Sequence, residues 1–507
     1  MARILLVDDD PGQLEIRRLI LERSGYEVVT AAGCDEALAR VEGCGIVVTD
    51  LLLPTAGDGV ALIDALRAKA RIIVLSGADV PASVHADECL SKPCPSRRLL
   101  DAVARLALVL LCVFTLRAET FSVAKPAEMV AELEMRAPAK NWSREGHESA
   151  LATLVLDGKP QQNVMVYAGA DRFTYSVFLG RLNAGEHHLK VEGDGVELLA
   201  ARFQEDASET VAHAPVLYAR PNTVGHFTDI PLIVYCERLE EGGQPILQYT
   251  VIYSNEDAGT STRALMARWG RTTDIEWVYK VFLGPGGETR HATIQAAEHK
   301  EIEFSGHREA RHPVLITWTD NNNVADNATS AVRYQIRPIL ADLTGHSREE
   351  VMDRLPFSYR IMADELKREH KLRPWNSVDE QTVSDPRNYL YFELQVANRD
   401  SGLATLVRLR GSDRWYSSHL GHTRYAIERD GWVRTTVELP PGTSASDIAE
   451  IGFECLTVEK KLAGSCRLER AGKAFFLDRE YRPGRGIWSL GEAHEIPSGQ
   501  IWTSTLR

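Results

Sequence analysis

A set of short, unbroken apolar runs between residues 4 and 92, each ending on an acid, a hydroxyl or a lysine, limits most severely what this chain can fold into. Ile4-Leu5-Leu6-Val7 leads into Asp8-Asp9-Asp10, and Ile46-Val47-Val48-Thr49 leads into Asp50. Ile72-Ile73-Val74-Leu75 leads into Ser76, and a short run at Cys89-Leu90 leads through Ser91 to Lys92. Strands that are apolar at every position must be covered on both faces, which calls for crossover helices and a parallel sheet. Helical patterns over about 11–24, 35–41, 59–68 and from 96 onward supply that cover, and Glu27-Val28-Val29 adds the remaining strand. The pattern predicts a parallel α/β domain over residues 1–106.

In an open parallel sheet, functional groups collect beyond the carboxyl ends of the strands. Asp8, Asp9, Asp50, Ser76 and Lys92 all occupy such ends. Carboxylates crowded together at neutral pH hold a proton or a cation. A hard divalent ion with oxygen ligands and open water positions fits them, which means Mg²⁺. A carboxylate can also attack phosphorus and carry the group as an acyl phosphate. Lys92, before Pro93, is placed to pair with phosphoryl oxygens, and the Ser76 hydroxyl to bond them. Asp10 precedes Pro11 and reads as a helix N-cap, outside the metal set.

Leu6-Val7-Asp8-Asp9-Asp10, Thr49-Asp50-Leu51-Leu52-Leu53-Pro54, Asp58-Gly59, Leu75-Ser76-Gly77 and Ser91-Lys92-Pro93 together resemble the receiver domains of two-component response regulators, in order and at close to the usual spacing. The resemblance covers about a fifth of the chain. It implies a flavodoxin-like fold, an Mg²⁺ site at Asp8, Asp9 and Asp50 with the backbone carbonyl of Leu52, and Asp50 as phosphoacceptor. It also implies Ser76 as switch hydroxyl, Lys92 as the invariant lysine, and a sensor histidine kinase or phosphotransfer protein as partner. Two departures stand out. The interval from Ser76 to Lys92 is short, which trims the fourth helix to a turn or two around 80–85, and Cys89 occupies the position of the aromatic that usually swings inward.

Beyond the first domain the texture changes. Residues 106–116 form an apolar run preceded by Arg97, Arg98 and Arg105 and followed by Arg117-Ala118. The run is too short to span a bilayer comfortably as a helix and has the proportions of a signal-peptide core. An extended last helix of the first domain, a signal-like or membrane-associated segment at 107–118, and an interface helix all remain open. From 119 onward short strands alternate with Gly, Asp, Asn and Pro turns, as in sandwiches and barrels. The chain thus reads as multidomain. A small immunoglobulin-like sandwich is expected at 119–208, a β-rich block at 209–345, a helical connector at 346–388, and a sandwich faintly resembling carbohydrate-binding jelly rolls at 389–507.

The 58 basic and 71 acidic residues give a net charge of −13, spread along the chain. A net-negative protein without a dense basic stretch is a poor binder of phosphate backbones, so no DNA partner is expected. Eight cysteines form no C-x-x-C pair, and Cys455 and Cys466 are placed to face each other across a hairpin.

Downstream of 119 no catalytic centre stands out, so the chain is expected to be no enzyme beyond an autophosphatase activity of the receiver, with a hydrolase in the β region left open. The oxygen-rich 320–327 reads as a hydrogen-bonded turn before a Ca²⁺ loop. Asp274 and Glu276 read as acids on a solvated strand face balanced by Arg268 and Arg271. His187, His188, His419 and His422 read as surface residues. Trp415, Tyr416, Tyr425 and Trp432 read as core, or as a platform for sugar rings.

Two functions follow. One is a phosphorelay response regulator signalling through its β-rich domains, the receiver lying in the cytoplasm. The other is an exported β-sandwich that binds carbohydrate or protein, to which a receiver has been fused or misjoined.

Overall fold

The computed structural model describes residues 3–41, 43–53, 55–67, 69–77, 80, 84–114, 119–223, 227–256, 259–377, 379–458, 464–490 and 492–505, and at 56 and 107–114 the backbone alone. The chain divides into two compact units, Met1–Arg117 and Ala118–Arg507.

In the first unit the strands are β1 (Arg3–Val7), β2 (Glu27–Ala31), β3 (Ile46–Asp50), β4 (Arg71–Ser76) and β5 (Glu88–Ser91). The helices are α1 (Pro11–Arg23), α2 (Cys34–Arg40), α3 (Ala56–Leu66) and α4 (Ser96–Phe114). All strands are parallel, in the order β2-β1-β3-β4-β5. Alternate side chains of β1 go to opposite faces: Ile4 and Leu6 join Leu21 of α1 and Leu99, Ala102 and Val103 of α4, whereas Leu5 and Val7 join Ala37 of α2 and Leu62, Ile63 and Leu66 of α3. Each fully buried Val, Leu or Ile adds about 1.5–3 kcal/mol, so covering both faces is what makes the parallel sheet stable.

Asp10 caps α1, its side chain accepting from the N–H groups of Gly12 and Gln13. The helix α3 starts three residues earlier than the apolar pattern suggests, because Thr55 caps it through the Asp58 N–H. Of the trimmed helix expected at 80–85, Val80, Val84 and His85 are irregular, and the rest lies outside the described residues. The apolar run at 106–116 extends α4 to Phe114; its side chains past Leu106, and residues 115–118, lie outside the described residues. No helix among the described residues is long and apolar enough to cross a membrane.

The second unit is dominated by antiparallel sheets. Glu119–Val123, Leu151–Leu156, Lys159–Met165 and Gly185–Glu192 form one sheet, and Ala127–Arg136, Phe173–Leu182 and Glu197–Glu205 form a second. A mixed sheet around the parallel pair Val216–Tyr218 and His312–Thr317 follows, beside a six-stranded sheet centred on Gln244–Tyr253 and Asp274–Leu283. One buried cluster runs from Phe121 to Leu477 and takes in Val351, Tyr359 and Met362 of the helices Glu350–Arg354 and Phe357–Arg368. The core is therefore continuous across positions 208 and 345, where the texture of the sequence suggests breaks. A second cluster fills the space between two four-stranded sheets near the end of the chain, with Phe392 and Leu468 from one and Val407 and Phe453 from the other. Cys455 and Cys466 form a disulfide with Cα atoms 5.6 Å apart. It joins those two sheets rather than the arms of one hairpin, because the strands carrying the cysteines belong to different sheets.

Candidate functional site

The strand order places the carboxyl ends of β1, β3, β4 and β5 side by side. The register sets Val7 beside Thr49, Asp50 beside Leu75, and Ser76 beside Ser91. Asp8, Asp50, Ser76 and Lys92 therefore reach one edge from four strands. Carboxylate oxygens of Asp8, Asp9 and Asp50 lie within 4.8 Å of one another. Asp8 and Asp50 are buried, at 1% and 7% exposure, and Asp9 is exposed.

Two unit charges about 4 Å apart repel by roughly 1 kcal/mol in water and about 4 kcal/mol near a protein surface, so the cluster needs counter-charge. Lys92 Nζ lies 2.5 Å from Asp50 Oδ2 and 3.7 Å from Asp8 Oδ2. Its peptide bond to Pro93 is cis. Asp50 Oδ1 also accepts from the Leu52 N–H at 3.3 Å, and Asp8 Oδ1 from the Asp10 N–H at 3.0 Å. Ser76 is buried at the end of β4, its carbonyl accepting from the Lys92 N–H at 2.7 Å. Leu52 stands in the loop after Asp50, about half exposed. The donors are three carboxylates, one open to water, and this all-oxygen set suits a hard cation that keeps several waters. Mg²⁺ fits these residues.

Two contributors escape a reading of the motifs alone. Arg17 of α1 is buried and donates to Asp8 Oδ2. Its signal is helical spacing, since Arg17 and Leu21 are the buried residues of α1 and stand four apart, so an arginine sits on the apolar face. Gly59 of α3 lies so close to the carbonyl of Leu51 that a Cβ would come within 1.9 Å of its oxygen. Glycine is what lets α3 hold the loop that follows Asp50. Cys89 lies in β5 opposite Val74 and is exposed.

The other candidates sit in the second unit. The 320–327 loop closes as a hydrogen-bonded turn, with the Asn322 N–H donating to the Thr319 carbonyl and Asp320 paired to Arg220. Asp274 and Glu276 are not solvated, which corrects the sequence reading. Asp274 is 4% exposed, and burial raises both carboxyls above their ordinary values, Glu276 to about 7. The reason is placement in the middle of the six-stranded sheet, with Asn322 donating to Asp274 Oδ2 at 3.0 Å. His187 is mostly enclosed by Asp157 at 2.7 Å, and His419 meets Glu454 at 3.1 Å; His188 and His422 are exposed. A second donor group, His346, Glu350 and Glu393, also falls within 4.8 Å. Lys473 is 2.6 Å from Glu350, and Arg434 is 3.5 Å from Glu393.

A doubly covered parallel sheet with an acid triad and a lysine at its carboxyl edge defines the receiver class of phosphoacceptor domains. The response regulator receiver domain profile matches residues 4–104. The chain is 32% identical to the C4-dicarboxylate transport transcriptional regulatory protein DctD of Pseudomonas aeruginosa, over 31% of this chain and 36% of that protein. It is 30% identical to the DNA-binding response regulator MtrA of Mycolicibacterium smegmatis, over 31% of this chain and 68% of that protein. It thus spans about a third of the first relative and two thirds of the second. A solved CheY-like receiver domain from Methanospirillum hungatei is 31% identical, covering 21% of this chain and 94% of that one, with a TM-score of 0.20. The chain belongs to the response regulators through its N-terminal receiver domain, and such a domain implies a histidine kinase or another phosphodonor as partner.

Proposed function

We propose that the protein is a phosphorelay response regulator in which Asp50 accepts a phosphoryl group from a histidine kinase. In that transfer the P–N bond of the donor phosphohistidine breaks, a P–O bond to a carboxylate oxygen of Asp50 forms, and the released imidazole takes up a proton. Asp8, Asp9 and Asp50, with the Leu52 carbonyl, would hold Mg²⁺, which when bound supplies charge neutralisation for acids and phosphoryl group alike. Lys92 leaves its contact with the Asp50 carboxylate to pair with phosphoryl oxygens, and Ser76 bonds one of them. The observation that carries the reading is the convergence of three carboxylates within 4.8 Å beside Lys92. The β-rich unit, rather than a DNA-binding domain, is the output, in keeping with the net charge of −13. Exposed Cys89 in place of an aromatic means that this output does not use an inward ring swing. Labelling full-length protein with a small phosphodonor and Mg²⁺ tests the proposal: wild type gains an acid-stable, base-labile mark, and Asp50→Ala gains none.

A second reading concerns the β-rich unit, and the disulfide favours it. Cys455 and Cys466 are paired, whereas Cys34, Cys44, Cys89, Cys94 and Cys236 are free. Structural disulfides belong to oxidising compartments. On this reading the β-rich unit is exported and binds a ligand, and the receiver stays in the cytoplasm or is a misjoined neighbour. A peptide spanning 100–125 in cell extracts supports one polypeptide, and a mature N-terminus near Glu119 supports cleavage and export.

A further inference from the structure

We infer that the second unit carries a binding site for one neutral sugar ring, in a cleft roofed by Trp375 and Tyr416 and floored by Glu438. The cleft has a volume of about 180 Å³. Pockets for drug-sized ligands run to about 300–1,000 Å³, so this one takes a single ring or chain end.

The two aromatic rings lie 6.3 Å apart and are tilted by 49°. At that distance the rings pack on each other and form one bent apolar surface, on which the C–H face of a pyranose can lie. The Arg414 guanidinium now covers both, 4.8 Å from the Tyr416 ring and 5.8 Å from that of Trp375, and donates to Asn376 Oδ1 at 3.3 Å. Arg414 and Asn376 are exposed, so they can turn from each other to a ligand, which then covers the rings in place of the guanidinium.

The floor points to hydroxyl groups. Glu438 is 8% exposed; its carboxylate faces the Ser384 hydroxyl and the Asn376 backbone, and its Oε1 makes no close hydrogen bond and can accept a further donor. A buried acceptor oxygen without a close donor is costly, and a bound hydroxyl would relieve it. Burial also raises the Glu438 carboxyl above its ordinary value. Beside it, Arg263 is already spent: its Nε donates to the carbonyls of Asp379 and Thr382. Those bonds hold Asp379 and Thr382 beside the cleft. Arg263 is engaged by backbone carbonyls, Glu380 is paired to Arg424, and Glu438 and Arg414 balance each other, so the cleft has no net positive charge to draw a phosphorylated or carboxylated ligand. Of the aromatics singled out in the sequence, Tyr416 and Tyr425 line this cleft, whereas Trp415 packs on Gly452 and Trp432 lies near Gly472.

This inference does not depend on the phosphotransfer reading. Its test is a glycan array spanning plant, fungal and bacterial polysaccharides, probed with the full chain, followed by calorimetric titration of the strongest soluble hit. The expected result is saturable binding of neutral glycans. Trp375→Ala and Tyr416→Ala should each weaken it about tenfold, and Glu438→Ala more than Glu438→Gln, which keeps an acceptor oxygen. Trp318→Ala, at an exposed tryptophan outside the cleft, should bind as wild type does. An array without hits, a preference for anionic glycans, or binding unchanged in folded Trp375→Ala and Tyr416→Ala proteins would each overturn the proposal.

Discussion

At Asp8, Asp9 and Asp50 three carboxylates meet two cations, Arg17 and Lys92, and one carboxylate stands exposed. Around Glu349, Asp353 and Glu393 in the second unit, each carboxylate is buried beside a cation, with Arg434 shared by two of them. Arg271 is 3.1 Å from Glu349, Arg434 is 2.7 Å from Asp353, and Lys473 is 2.8 Å from Asp353. Glu393 accepts from the Ser347 N–H at 2.9 Å and lies beside Arg434. The density of acids is similar in the two places. What differs is charge balance and access to water, and those two properties separate a site with room for a further cation, as the proposed phosphoacceptor role requires, from a network that holds a fold together.

The comparison breaks most visibly at Arg434, which is fully buried. Replacing it by Met leaves Asp353 with Lys473 alone and takes from Glu393 the arginine beside it, and removal of one partner from a buried pair costs about 3–5 kcal/mol. Calorimetry of Arg434→Met should show a large drop in the transition of the second unit, while Lys92→Met should leave the receiver folded and slow its labelling. A loss confined to the receiver variant would reverse the assignment of roles.

The next effect is on pH. Burial pushes Asp353 and Glu349 up, but the arginines around them outweigh it and hold both carboxyls down to about 2. Both ionise at lower pH folded than unfolded, so their contribution is complete above about pH 4–5 and is lost as pH falls toward 2. A tenfold change in proton affinity corresponds to about 1.4 kcal/mol, so each group contributes about 2–4 kcal/mol. Chemical denaturation of full-length protein between pH 5 and 2 should show that slope in the second unit, and Asp353→Asn should flatten it.

The smallest effect sharpens the receiver side. Arg17 holds an oxygen of Asp8 that the metal would use, so Arg17→Gln should tighten Mg²⁺ by about tenfold, the worth of one screened unit charge. Titration followed by intrinsic fluorescence or calorimetry would read it, and weaker binding would show that Arg17 supports the site instead of competing for it.

The receiver is legible because its information is local. Each strand writes its buried run and its terminal functional group in consecutive residues, so Asp8, Asp50, Ser76 and Lys92 announce themselves along the chain. Arg17 does not, because its role depends on which face of α1 turns inward. The second unit is legible in texture but not in partnership. Asp274 looks like a solvated acid until the Asn322 loop covers it, and Glu393, Arg434 and Asp353 meet from segments up to 81 residues apart. Trp375 carries no signal of its own, because its partner Tyr416 stands 41 residues further along the chain. Long-range pairings of this kind leave no periodic trace in a single sequence.

The most direct test is to locate the phosphoryl group chemically. Full-length protein is labelled with acetyl phosphate and Mg²⁺, the acyl phosphate is reduced with borohydride, and the modified residue is found by peptide mass spectrometry. The account predicts homoserine at position 50 alone, dependent on Mg²⁺ and absent from Asp8→Asn/Asp9→Asn protein. A mark on another acid, or none while a control receiver is modified in the same tube, contradicts it.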